Sequence, residues 1–159
     1  MYQELYFCCR QQDCIKSCCG AYNGFSDKLS SVDGRRFTDI ILTDDDAQSL
    51  LNSEYRRLVY QGNDKLYRIA TDEDGVCCAY QSGKCLINDL KPTICKCFPL
   101  YLDIFIGLCS QKDCIAVNTQ YTLLNYKNEI EPLLNMCEFW ITYYRKQLED
   151  LANKKALID

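Results

Sequence analysis

The sequence predicts a mainly α, single compact domain with cysteine-rich metal-binding loops and a long C-terminal amphipathic helix. Three observations carry this expectation. Leu133, Cys137, Trp140, Ile141, Tyr144, Leu148 and Leu151 recur at steps of three and four, the spacing of one helix face. Thr43 precedes Asp44-Asp45-Asp46-Ala47 and then Leu50, Leu51, Leu58 and Val59, which reads as a capped helix start. No repeat, low-complexity tract or Pro/Gly/Ser-rich linker divides the 159 residues, a length suited to one domain with its own core.

The N-terminal stretch Met1-Tyr2-Gln3-Glu4-Leu5-Tyr6-Phe7 has no basic leader and no long apolar run, so no secretory signal is expected. A first cysteine cluster follows: Cys8, Cys9, Cys14, Cys18 and Cys19. The next element is the helix opened by Thr43, expected over about residues 44 to 61, with its acidic run at the positive end of the helix dipole. After Gly62-Asn63-Asp64, the segment Leu66-Tyr67-Arg68-Ile69-Ala70 alternates like a short strand, and Asp72-Glu73-Asp74-Gly75 reads as a turn.

A second cluster, Cys77, Cys78, Cys85, Cys95 and Cys97, is interspersed with Gly83, Pro92 and Pro99, and is therefore expected in loops and short elements. Leu100 to Leu108 fits either a strand or a buried helical turn, which periodicity does not separate. Cys109 and Cys114 form a third group. The last element is a helix from Pro132 to about Lys155, with proline in its first turn, where its missing donor matters least.

Composition narrows the chemistry. The chain has no histidine, which excludes His-based acid–base catalysis, Cys/His and Ser/His/Asp hydrolysis, two-Cys two-His zinc fingers and His-ligated haem. Any metal is held by sulfur or carboxylate. Eighteen basic against 22 acidic residues leave a net charge of −4, without the basic footprint of a general nucleic-acid binder or a membrane-surface protein. The longest nearly apolar run, Phe98 to Cys109 with Asp103 inside it, is too short to span a bilayer. A cytoplasmic protein is expected, and in a reducing compartment many cysteines point to metal or redox chemistry before structural disulfides.

Thirteen cysteines in a chain large enough to build a core need another reason than stapling. Thiolates gathered in one fold repel one another, and zinc or an iron-sulfur cluster offsets that repulsion. Cys9-x4-Cys14-x3-Cys18-Cys19 is short enough for one loop to wrap a metal, and Cys78-x6-Cys85-x9-Cys95-x-Cys97 brings further sulfurs. Neither spacing is a zinc ribbon's paired knuckles or the bacterial ferredoxin run. Cys109-x4-Cys114 either completes a site or pairs as a disulfide, and Cys137 falls on the apolar face of the last helix, a core position. Lys16, Lys84, Lys91 and Lys96 flank cysteines, where positive charge lowers thiol pKa, although solvation explains them equally well. The aspartates 44 to 46 are read as helix-terminus electrostatics, and the twelve Tyr with Trp140 as core and interface material.

Several segments taken together resemble the YkgJ-type cysteine-cluster family, described as a zinc- or iron-chelating domain. They are Phe7-Cys8-Cys9, Cys14-Ile15-Lys16-Ser17-Cys18-Cys19-Gly20, Leu42-Thr43-Asp44-Asp45-Asp46, Cys78-Ala79-Tyr80, Gly83-Lys84-Cys85-Leu86-Ile87 and Lys91-Pro92-Thr93-Ile94-Cys95-Lys96-Cys97-Phe98-Pro99. The resemblance covers roughly residues 7 to 114. Lys91 and Lys96 stand where the family pattern has arginine, which keeps the charge and loses the forked donors. The resemblance implies that Cys9 and Cys78 serve as ligands and their neighbours Cys8 and Cys77 do not.

The first motif is also similar to that of flagellin lysine N-methylases, longer proteins for which the resemblance implies an iron-sulfur cluster and S-adenosylmethionine. No Gly-rich strand-turn-helix of the dinucleotide-binding kind is present. The reading of the sequence is a metal-binding protein holding an iron-sulfur cluster, of [4Fe-4S] type, or zinc, through Cys9, Cys14, Cys18, Cys19, Cys78, Cys85, Cys95, Cys97, Cys109 and Cys114. The alternatives are an S-adenosylmethionine-dependent enzyme acting on a protein or peptide substrate, and a disulfide-rich secreted domain.

Overall fold

A computed structural model describes residues 7–9, 19, 39–111, 114, 116–117 and 121–155. Among them helices account for 44% and strands for 20%, in three small sheets and one long C-terminal helix. The protein is mixed α/β, which corrects the expectation of a mainly α fold. Short strands without sustained alternation leave little periodic signal, and here they form by pairing across turns.

The first sheet shows how the correction arises. Strand β1 (Ile40–Leu42) leads through Thr43 into helix α1 (Asp44–Leu51). The Thr43 hydroxyl accepts from the Asp46 amide at 3.2 Å, and the Asp46 carboxylate accepts from the Thr43 amide at 3.3 Å, the reciprocal capping box expected from the sequence. The helix stops ten residues short of the expected end. At its C-terminus Ser53 turns its hydroxyl onto the Leu50 carbonyl at 2.8 Å and accepts from the Tyr55 amide at 3.1 Å, local bonds that compete with helix continuation.

A 3-10 turn, Arg56–Leu58, follows, and then β2 (Val59–Gln61). Val59 and Gln61 pair with Ile69 and Tyr67 of β3 (Tyr67–Ile69), whose other edge carries β1, so the order is β1-β3-β2, all antiparallel. The connection between β2 and β3 is held by a buried ion pair. Arg68 donates to both oxygens of Asp64, at 2.8 and 2.6 Å, and lies 3.5 Å from Asp39. Gly62 is required beneath it, since a Cβ there would sit 2.4 Å from the Arg68 guanidinium.

The expected turn at Asp72 is present. Its carboxylate accepts from the Asp74 and Val76 amides, and Gly75 takes a positive φ of 82°, a conformation that glycine adopts without steric cost. Beyond it come Cys77 and Cys78, then the hairpin of β4 (Tyr80–Gln81) and β5 (Lys84–Cys85), a 3-10 turn and the short helix α2 (Thr93–Cys97), which carry Cys85, Cys95 and Cys97 of the second cysteine cluster. The Phe98–Pro99 peptide is cis. The undecided stretch from Leu100 is a hairpin, β6 (Leu100–Asp103) with β7 (Gly107–Ser110), its tip shaped by Asp103 accepting from the Phe105 and Ile106 amides.

Helix α3 runs from Lys127 to Lys155. It starts five residues before the expected Pro132, because Thr122 and Asn125 form a capping box on a preceding 3-10 turn that feeds directly into it. No helix among the described residues is long and apolar enough to cross a membrane.

Two buried clusters hold these elements. Leu42, Ala47, Leu50, Ile69, Cys77, Ala79 and Ile87 pack between the first sheet, α1 and the β4–β5 hairpin. Phe7, Cys97, Leu100, Tyr126, Leu133 and Met136 pack between α2, β6 and the first half of α3. Helix α2 lies between the two.

Candidate functional site

One residue sets the position of α2. The Asp46 carboxylate that caps α1 also accepts from the Thr93 amide and the Thr93 hydroxyl, both at 3.0 Å. The acidic run was expected to serve the dipole of its own helix; one of its members also caps α2, 47 residues along the chain. Through this bond Cys95 and Cys97 are placed against the β4–β5 hairpin and α3.

The result is a cavity of about 360 Å³ between the two cores. Its walls include Cys19, Cys77, Cys85, Cys95, Cys97 and Cys137, with Lys91 the only cation among the lining residues. Apolar side chains complete it, with Ile69 and Ile87 on one side and Leu133, Met136 and Trp140 on the other.

Backbone bonds fix the sulfur-bearing segments. The Cys77 amide donates to the Cys19 carbonyl at 2.7 Å and the Tyr80 amide to the Cys77 carbonyl at 2.8 Å, which ties the first cysteine cluster to the second. Cys85 pairs with Tyr80 across the hairpin. The sulfur of Cys77 faces the Ala79 amide and that of Cys85 the Ile87 amide, in each case the N–H two residues on, a donor that favours the thiolate. Cys95 is in the first turns of α2, with its own amide bonded to the Pro92 carbonyl at 2.9 Å.

Burial pushes the Cys77 thiol up to about 11, and repulsion from Cys19, Cys85 and Cys78 adds to it. Cys85 is raised by burial and by Cys19, and Cys95 well above the ordinary thiol value by burial and by Cys19, Cys77 and Cys85. Cys19, Cys77, Cys85 and Cys95 are thus within electrostatic reach of one another. Lys91 opposes the rise at Cys85, Cys95 and Cys97. Of the four lysines that flank cysteines, Lys84 and Lys96 are exposed and Lys16 lies outside the described residues.

Lys91 also attracts Glu129 of α3, which is buried, has its carboxyl raised by desolvation, and leaves Oε2 without a hydrogen-bond partner. Cys97 reaches about 11, first by burial and then by the nearby Cys137, and its thiol donates to the Ile94 carbonyl at 3.1 Å.

The ten cysteines expected as ligands are therefore distributed unevenly. Cys19, Cys85, Cys95 and Cys97 share the cavity. Cys78 is half-buried on the far side of its turn, its amide bonded to the Ala70 carbonyl, and is not among the lining residues. Cys9 and Cys114 pack against the second core. Cys109 is on β7 opposite Tyr101, its thiol directed at the Gly107 carbonyl at 3.4 Å. Cys14 and Cys18 lie outside the described residues. Two cysteines assigned to packing, Cys77 and Cys137, line the cavity as well. Nothing in the local sequence marks Cys77 over Cys78; the turn at Gly75 decides which of the doublet faces inward.

Among the described residues, no three Cys, Asp or Glu side chains stand close enough together to hold a metal ion as they are. The donor chemistry nonetheless fits a soft cation: buried sulfurs that repel one another when ionised, two backbone amides aimed at sulfur, and no nitrogen ligand. Neither a family model, a characterised protein nor a solved structure matches the chain.

Proposed function

We propose that the protein is a thiolate metal-binding module whose centre is assembled from Cys19, Cys77, Cys85 and Cys95, with Cys14 and Cys18 of the first motif as further donors. The observation that supports it is the meeting of Cys19 of the first cluster with Cys77, Cys85 and Cys95 of the second at one cavity, joined by the Cys77–Cys19 backbone bond. Burial and repulsion from neighbouring thiolates favour the protonated form of Cys77, Cys85 and Cys95 without a cation, so binding must release protons and draw the sulfurs together. Lys91 offsets part of the remaining negative charge, and the Ala79 and Ile87 amides donate to two of the sulfurs.

Sulfur-only ligation and the uneven cysteine spacing favour an iron-sulfur cluster of the [4Fe-4S] type over one zinc. Such a cluster supplies electron transfer when bound. The resemblance to the YkgJ-type family is consistent with either metal.

Metal and acid-labile sulfide analysis on reduced protein purified without oxygen tests the reading. Iron with matching sulfide is expected, reduced by at least half in Cys85→Ser and Cys95→Ser and unchanged in Cys109→Ser. Stoichiometric zinc without sulfide would retain the module and remove the cluster. Protein that takes up neither metal after reconstitution would overturn both.

A further inference from the structure

The apolar stripe read from the sequence runs along most of α3, with Cys137 expected as a core position. It is buried only in its first half. Leu133 and Met136 are buried, whereas beyond Trp140 the helix leaves the domain: Ile141 is 59% exposed, Leu148 66% and Leu151 62%, and Leu134 nearer the start is 62% exposed. Tyr144 stacks on Trp140 and remains 42% exposed. A helix end whose apolar side chains stay in water is marginal, and so long a run of exposed apolar side chains marks a contact site.

The spacing of that stripe says what kind of contact. Leu134, Ile141 and Leu148 are seven residues apart, and Cys137, Tyr144 and Leu151 follow each by three, the two apolar positions of a heptad seam rather than the broader face of a core helix. The seam from 134 to 151 is about 27 Å long at the ordinary helical rise.

We propose that α3 pairs with the α3 of a second copy of this chain, antiparallel, about a two-fold axis passing between Thr142 and Tyr143. That register places Leu134 against the partner's Leu151 and Ile141 against the partner's Tyr144, and brings Leu148 to the edge of the partner's domain beside the partner's Cys137, which is half-buried in its own core. It also sets Glu138 beside the partner's Arg145, within about 3 Å along the axis, and by symmetry Arg145 beside the partner's Glu138. Both side chains are exposed. The sequence is therefore complementary to itself in this direction. A parallel pair in register would set Arg145 against Trp140 and leave Glu138 facing Leu133, with no charge matched. Five exposed apolar side chains at roughly 100 Å² each supply about 1,000 Å² over the two copies, the lower bound of a specific interface.

The test is sedimentation equilibrium of the full chain in reductant, so that no intermolecular disulfide contributes, from about 2 to 200 µM. A monomer–dimer equilibrium is expected. Leu148→Asp, at an exposed position, is expected to weaken it at least tenfold with unchanged far-ultraviolet circular dichroism. Glu138→Arg and Arg145→Glu are each expected to weaken self-association, while an equimolar mixture of the two variants restores a heterodimer, because each then faces its opposite charge. A wild-type chain that stays monomeric at 200 µM overturns the proposal. So does a dimer that both charge reversals leave untouched, which would place the contact elsewhere or make it parallel.

Discussion

Removing the Asp46 carboxylate separates two helices that depend on it. Its oxygens accept from the Thr43 amide at 3.3 Å, the Thr93 amide at 3.0 Å and the Thr93 hydroxyl at 3.0 Å. Asp46→Ala loses half of the capping box on α1 and the side-chain contact at the start of α2. At about 1 kcal/mol for a cap and about 1.5 kcal/mol for each of the two further charge-assisted bonds at a half-buried position, the loss comes to about 4 kcal/mol. Asp46→Asn behaves differently. Its one carbonyl oxygen can take both amides, and its NH2 can donate to the Thr93 hydroxyl turned round to accept, so only the charge is lost, about 1 kcal/mol. Thr93→Val, which keeps the amide and deletes the hydroxyl, is expected to cost a similar amount. Urea unfolding of the reduced, metal-free chain gives the ranking Ala well below Asn and Val. Metal content should follow the same order, since α2 carries Cys95. An Asp46→Ala protein within about 0.5 kcal/mol of wild type would refute the idea that this carboxylate holds the two helices together.

Other expectations follow from the same geometry. Burial pushes the Cys77 and Cys97 thiols up to about 11, from the ordinary thiol value of 9.0. A raised folded value means stability that is intact below pH 9 and lost as pH climbs towards 11, by up to about 1.4 kcal/mol per pH unit for each thiol. Urea midpoints of the reduced, metal-free protein at pH 7, 9 and 10.5 should show that fall. The metal-loaded protein should show the opposite sensitivity, releasing metal as acid reprotonates the thiolates, which metal analysis after gel filtration from pH 8 to pH 4 would detect. Lys91→Met should raise the pH of half-occupancy in that titration by about one unit, with Lys91→Arg near wild type. Gly62→Ala drives a Cβ into the Arg68–Asp64 pair and should cost about 2 kcal/mol by thermal unfolding; an unchanged midpoint would mean the pair moves aside freely.

Where information is local, the sequence already contained it. Thr43 and Asp46 cap a helix three residues apart, Asp72 and Gly75 close a turn within four, and the C-terminal helix follows from its own period, because each of these structures is stabilised by neighbours along the chain. The clustering of the cysteines, and the absence of histidine, limited the ligands open to any metal to sulfur and carboxylate before any fold was known. Tertiary structure decided what depends on distant partners. Val59–Gln61 is a strand because Tyr67–Ile69 lies beside it, and the stretch after Pro99 is a hairpin because Leu100 to Asp103 finds Ser110 to Gly107. Cys77 rather than Cys78 faces the cavity because the Gly75 turn and the Cys19 carbonyl orient it. The second half of α3 has the apolar period of a buried helix, yet its Ile141, Leu148 and Leu151 are exposed, since periodicity specifies that a face seeks a partner and only the packed chain shows whether that partner is its own.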